Sequence, residues 1–169
     1  MTYLQRIAML GKLLHGMKEK GNNRGPLPDM IFSDLGRPVE STQWCALDAS
    51  WLAHQAARSM NKTSNIKSSS SAVRLFHRNK ALACTLEELE PGCIVCRVRD
   101  VKDVAAAKAG EFKEGHAYTL VEHFSGPNWV TAQGNTSSKS EDDNGEGHFV
   151  KLDDVSDPRI VGFLKPTAA

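Results

Sequence analysis

Leu4, Ile7, Leu10, Leu14 and Met17 recur at three- and four-residue spacing, with Gln5, Arg6, Lys12 and His15 among them. That period predicts an amphipathic helix with one apolar face. EKGNNRGPLP, residues 19–28, breaks the pattern with Gly, Asn and Pro and reads as a loop. MIFSDLG predicts a short helix closed by Gly36, and Ser41 or Thr42 stands where a third helix over 43–58 needs its cap. NKTSNIKSSSS is a polar connection whose last serines can cap a fourth helix, AVRLFHRN. The second half changes period. CIVCRV, HAYTLVEHF, NWVTAQ, GHFVKL and RIVGFL are short runs rich in β-branched and aromatic residues, separated by Gly, Pro, Asn and Asp. Helices first and strands after predict an α+β domain, N-terminal helices packed on a C-terminal antiparallel sheet.

A chain of 169 residues, 40% of them hydrophobic, suffices for one well-buried core and one domain. The formal net charge of +1 argues against a nucleic-acid partner, which calls for a basic excess. No apolar run reaches the length of a membrane span, so no membrane partner is expected. The first twenty residues read as a helix rather than a signal peptide, so the chain is expected to be made in the cytoplasm with no general export route of its own. Cysteines at 45, 84, 93 and 96 are too few and too unevenly spread for a secreted disulfide scaffold.

The chemistry begins at TQWCALDASW, residues 42–51. Cys45 falls in the first turn of the third helix, where unpaired N–H groups and the positive dipole end favour a thiolate and lower its pKa. A partner base is needed, and six histidines compete. His54 lies about two and a half turns along the same helix and faces away. His15 and His77 read as solvated. His116 follows Gly115 and opens the strand HAYTLVEHF, at the mouth of the sheet. His123 is seven residues on and is expected on the opposite face. His148, after Gly147 at another strand start, is the second choice. The imidazole in turn needs a group to hold it, and NWVTAQGNT offers Gln133 and Asn135, two apart in a strand and therefore expected on one side.

These residues resemble the CHAP amidase/endopeptidase family, within the NlpC/P60 superfamily of papain-like cysteine peptidoglycan hydrolases. GMKEKGNNRGP at 16–26 resembles the entry segment before such domains, WCALDASWL the WCAxFxxW nucleophile helix, and SAVRLF the small-residue helix after it. LEPGCIVCRV sits where the family has PGDIVxF, GHAYTLVE matches GHVxxV, QGNT with NGEGHFVK matches the GNT…GxGV hairpin, and VGFLKP resembles the GFxRP end. The resemblance implies a papain-like fold in one domain over 1–169: an entry segment at 1–40, nucleophile and following helices at 41–80, and a sheet carrying His and Asn at 90–166. It implies Cys45 as nucleophile, His116 as general base and Gln133 or Asn135 as the third group, with no cofactor. The family commonly carries Glu–Gly–Asn where this chain has Gln133, Gly134 and Asn135, which makes Asn135 the preferred orienting residue. Cys93 replaces the usual Asp, read as a loss of surface polarity, and the loop RDVKDVAAAKAGEFKEG is longer than typical. The implied reaction is acyl transfer from a wall-peptide amide, the oxyanion met by the Cys45 N–H and by Gln43 as a second donor.

Other motifs weigh less. The C-x-x-C of Cys93 and Cys96 lies on a strand, where residues three apart point to opposite faces and cannot chelate one ion. SEDDNGEGHFVK sets Asp142, Asn144 and Gly145 in step with a calcium loop, but Lys151 stands where its final Glu belongs, so no metal is expected. Trp44 and Trp51 read as packing residues. The expected function is cleavage of an amide bond in bacterial peptidoglycan by a monomer, as a phage lysin or an antibacterial effector. It would reach the wall through a holin, a virion or a secretion machine, and an immunity protein is a possible partner. The alternatives are a papain-like hydrolase of a non-wall amide and a catalytically silent binding module.

Overall fold

In the computed structural model, which describes residues 1–21, 23–38, 43–136 and 146–169, the first helix is set by its cap. The Thr2 side chain accepts from the Gln5 N–H and the Gln5 side chain accepts from the Thr2 N–H, a capping box that opens α1 (Tyr3–Leu13). Ile7, Ala8 and Gly11 are its buried face. Met17 departs from the expected helix: it lies in β1 (Met17–Lys18), paired with His148. α2 (Pro26–Asp34) starts earlier than MIFSDLG suggests, because Pro26 suits a first helical position whose N–H has no partner. α3 (Cys45–Arg58) runs as expected from the WCALDASW pattern, with Trp44 as its N-cap. Ser41 and Thr42, the expected caps, lie outside the described residues. α4 (Ala72–Arg78) is capped by Ser71, whose hydroxyl accepts from the Arg74 N–H.

β2 (Ala83–Cys84), β3 (Ile94–Val98), β4 (Gly115–Ser125), β5 (Asn128–Thr136), β6 (Gly147–Asp154) and β7 (Ile160–Leu164) complete a sheet of order β1-β6-β5-β4-β3-β7-β2 among the described residues. Every pairing in it is antiparallel. The α+β expectation therefore holds. The long 99–115 connection, read as a loop, contains a short helix, α5 (Val104–Lys108). Its alanines are strong helix formers, and Ala107 packs with Val73, Val98 and Val161.

Alternation along the strands divides the apolar residues between two faces. Ile94, Cys96, Ala117 and Leu164 face α1, α2, α3 and α4 in one core that also holds Ile7, Trp44, Leu47 and Leu52. Cys93, Val95, Tyr118, Leu120 and Trp129 form a second cluster on the opposite face with Val155 and Ile160. Cys93 and Cys96 accordingly lie on different faces and do not converge. A bulge between Leu120 and Glu122 interrupts β4. Glu122 reaches Lys12 of α1, while His123 returns to the Trp129 side, ring centroids 5.1 Å apart. His123 therefore shares the His116 face, contrary to simple alternation, because the bulge adds one residue to the count. No described helix is long and apolar enough to cross a membrane.

Candidate active site

Ladder geometry explains how a helix end meets a strand here. Leu120 N–H donates to the Cys93 carbonyl at 2.8 Å and Arg99 N–H to that of Glu114 at 3.1 Å. Antiparallel pairs alternate, so Cys96↔Ala117 is a non-hydrogen-bonded pair and the Ala117 N–H points away from β3. On that side β5 begins pairing only at Thr119↔Ala132. The start of β4 thus leaves a donor facing a gap between β4 and β5. The Cys45 sulfur lies at the open end of α3 next to this gap, where the N–H dipoles of Ala117 and of the first turn of α3 act on it. This sets the nucleophile candidate against the backbone of the residue next to His116.

The thiol is 3% exposed, and burial pushes its pKa up, with Asp48 adding to the rise; the three N–H donors pull the other way and do not prevail. The expected lowering at the helix start is therefore not what the site does. Removal from water outweighs the first-turn dipole, and Cys45 rests as a neutral thiol that needs a base.

His116 lies on the opposite face from the core of α3, beside Tyr118 at 6.0 Å between ring centroids. Its Nε2 is 3.0 Å from Gln133 Oε1. The orientation of that amide is fixed from behind. Gln133 Nε2 donates to Thr131 Oγ1 at 2.8 Å and to Asp153 Oδ2 at 2.9 Å. The Thr131 hydroxyl spends its own hydrogen on the Lys151 carbonyl, so it can only accept from Gln133. With both amide hydrogens committed, Oε1 must accept, and His116 Nε2 carries the proton. In the neutral ring Nδ1 is then the basic nitrogen. Asp153 was not singled out by the sequence; the register sets it opposite Trp129, four residues from Gln133 along β5, and the two meet only through their side chains.

Arg97 stands behind this chain with its side chain 2% exposed. It reaches Asp153 at 3.3 Å and Asp157 at 3.4 Å and lies over the Tyr118 ring, 5.1 Å from its centroid. Arg159 clasps Asp157, with Nη2 at 2.6 Å from Oδ2. Burial alone would raise the Asp157 carboxyl, but Arg159 and then Arg97 hold it below the usual range. Two guanidinium and two carboxylate groups balance within the outer face of the sheet, as buried charge requires.

Asn135, the preferred third residue, does not take that role. β5 slips against β6 between Gln133 and Thr136, and Asn135 is left-handed at φ 53°. The slip breaks the alternation that would put it on the Gln133 face. Its Oδ1 is buried and has no hydrogen-bond partner among the described residues. Gly134 has a steric duty: a Cβ there would lie 2.6 Å from the Trp44 ring and 2.7 Å from Asp48. Only glycine lets the first turn of α3 press against β5.

His148 is not a base either. Nδ1 lies 3.1 Å from Asp48 and Nε2 2.9 Å from the Gly11 carbonyl, both acceptors, so the ring is a doubly protonated cation. Burial would lower its pKa, but the charge and hydrogen bond of Asp48 and the Gly11 carbonyl together raise it. It clamps the last turn of α1 to the first turns of α3. Among the other histidines, His77 is half-buried, at 2.7 Å from the Ala107 carbonyl, because α5 folds over it. His15 is exposed but accepts from the Val150 N–H. His54 sits at 3.2 Å from Ser68 Oγ, away from Cys45 as expected.

Trp44 is fully buried and its indole donates to Glu19 at 2.6 Å; Trp51 donates to Asp34 at 2.8 Å. Both are packing residues. Gln43 lines a cleft of about 420 Å³ with Ser71, Arg74, Phe112, Lys113 and Gly115, so the expected second oxyanion donor opens onto the groove beside His116. The calcium-like positions Asp142, Asn144 and Gly145 lie outside the described residues. Comparisons with protein-family models, curated proteins and solved structures find no match to this chain.

Proposed function

We propose that the chain is a papain-like cysteine amidase or endopeptidase that cuts an amide bond of bacterial peptidoglycan. The observation that carries the reading is Cys45 at the open end of α3 beside Ala117, the residue next to His116, with the imidazole oriented by Gln133. His116 Nδ1 takes the thiol proton as sulfur attacks the amide carbonyl. The tetrahedral oxyanion is met by the Cys45 N–H and Gln43. The imidazolium then protonates the departing amine, leaving a thioester on Cys45. Water, deprotonated at Nδ1, attacks the thioester, the acid departs, and sulfur regains its proton. Asp153, acting through the Gln133 amide, favours the imidazolium without placing a carboxylate against the ring.

The substrate class is supported by the succession of WCALDASWL, GHAYTLVE and QGNT, and by the adjoining cleft. The cleft carries both signs of charge, Arg74 and Lys113 with Glu114. A phage lysin or an antibacterial effector with a cognate immunity protein is the setting such a domain would serve. The test is digestion of purified sacci followed by mass spectrometry of the soluble products. Wild type releases fragments with a new amine and carboxylate, and Cys45→Ala, with an unchanged circular-dichroism spectrum, releases none. Equal release by both proteins would overturn the nucleophile; inert wild type that still acylates Cys45 with a reactive ester would move the substrate away from the wall.

A further inference from the structure

A buried cation stands directly across the ladder from the proposed base. Arg97 of β3 is the register partner of His116 on β4. Backbone bonds at 93/120 and 99/114 make 97/116 a hydrogen-bonded pair by alternation, with Cα atoms about 5.5 Å apart and both side chains on one face. The Arg97 side chain is 2% exposed and lies over the Tyr118 ring at 5.1 Å, and the same ring is 6.0 Å from that of His116. Asp153 ties the two ends together. Its Oδ2 accepts from Gln133 at 2.9 Å, and its Oδ1 is 3.3 Å from Arg97 Nη1. One carboxylate thus serves the amide behind His116 with one oxygen and the guanidinium opposite His116 with the other.

We propose that Arg97 is a positioning residue for the hydrolase reaction: its guanidinium fixes Asp153 behind Gln133, and its charge holds His116 in the neutral, proton-accepting form between turnovers. The inference rests on His116 as the base of that reaction. A base must be neutral to take the Cys45 proton and must carry charge once it has done so. Asp153, acting through Gln133, favours the charged ring. Unopposed, it would favour that ring in the resting site as well, and a ring already protonated takes nothing from sulfur. A cation on the facing strand, buried where water screens little, opposes this. Asp157, 3.4 Å from Arg97 and clasped by Arg159, tempers the guanidinium in turn. The sign and strength of the field at His116 therefore depend on Arg97 staying between the two carboxylates.

The other described groups around His116 do not supply such a field. Tyr118 offers a ring face, and Gln133 is neutral. From α3 come Cys45 and, behind it, Asp48, which is paired with His148 at 3.1 Å. The segment before β4 brings Lys113, 3.7 Å from Asp103 and from Glu111, and Glu114, 3.7 Å from Arg99. These pairs face solvent, where screening leaves little net effect. Arg74 of α4 lies over the Phe112 ring at 5.2 Å, across the cleft.

The experiment titrates isotope-labelled histidine side chains by NMR in the full-length protein without substrate, the His116 signal being identified by its loss in His116→Ala. Arg97→Gln removes the cation and should raise the His116 titration midpoint by at least about half a pH unit. Arg97→Lys keeps the charge and should titrate close to wild type. Asp157→Asn removes an anion beyond Arg97 and should lower the midpoint, and it decides the matter if Arg97→Gln does not fold. An unchanged midpoint in folded Arg97→Gln, equal shifts in Arg97→Gln and Arg97→Lys, or a midpoint that does not fall in Asp157→Asn overturns the proposal. On a solubilised wall fragment, the acid limb of kcat/KM for Arg97→Gln should move upward in pH with the NMR midpoint, whereas a merely structural loss would lower activity alike at every pH. Because the titration needs no turnover, the hydrolase reading and the role of Arg97 can fail separately.

Discussion

Gln133 joins two jobs that a single carboxylate would otherwise do. Its carbonyl oxygen accepts from His116 Nε2 and its amide nitrogen donates to Asp153, so in the proposed mechanism the carboxylate acts on the ring through the amide. Asp153→Asn keeps the shape but removes that charge and lets the Gln133 amide turn over. The expected effect is a fall in kcat of about tenfold to a hundredfold with KM little changed, the scale typical of a lost group behind a catalytic residue. Steady-state kinetics on a solubilised wall fragment reads it; an unchanged kcat would remove Asp153 from the proposed mechanism. Cys45 and His116 could be found in the sequence because a helix start and a strand start are written locally, in WCALD and GHAY. The choice between Gln133 and Asn135 could not. It depends on a slip between β5 and β6 and on a left-handed Asn135, and neither is encoded in the alternation of apolar residues. Asp153 was invisible for a related reason, since it reaches Gln133 through a side-chain contact between neighbouring strands.

Two elements must touch for the site to exist: the first turn of α3 and the opening between β4 and β5. Gly134 is the contact. Gly134→Ala would drive a methyl into Trp44 and Asp48 and lift the helix end that holds Cys45. A loss of about 2 kcal/mol in denaturant unfolding is expected, within the range for overpacking, together with a disproportionate loss of activity. Full activity in a stably folded Gly134→Ala would contradict the role given to that contact. Five sheet segments were legible as β-branched runs, and their observed bounds lie within a few residues of the patterns. β1 and β2 were not: two residues carry no period, and they are strands only because β6 and β7 offer them open edges. α5 was hidden inside a run read as a loop, where VAAAK is too short for a helical pattern to repeat.

Across the molecule, buried charge should make stability fall at both ends of the pH scale. His148 has a raised pKa, so its clamp on Asp48 and Gly11 is fully present below the ordinary histidine value and is lost as pH rises through the folded pKa. Asp157 has a lowered pKa, so its bonds to Arg159 and Arg97 stabilise above the ordinary aspartate value and are lost as pH falls through the folded one. Thermal midpoints measured across acid and alkaline buffers should therefore fall on both flanks, and His148→Gln should weaken the alkaline fall. An alkaline flank identical in wild type and His148→Gln would show that the clamp is not what titrates. The same clamp joins α1, α3 and β6, so the N-terminal helix and the sheet are fastened at one buried point. Sequence showed the two halves as helices and strands; it did not show that a histidine taken for a reserve base holds them together.

The most direct test of the central pairing needs no substrate. Iodoacetamide alkylation of Cys45 in the folded protein, followed by peptide mass spectrometry over time, compares wild type with His116→Ala. A buried thiol that depends on a neighbouring base should react at neutral pH at least about tenfold faster in wild type than in the variant, and the variant should still be climbing at about pH 9. Equal rates in the two proteins, with both folded, would mean that the imidazole does not serve the sulfur.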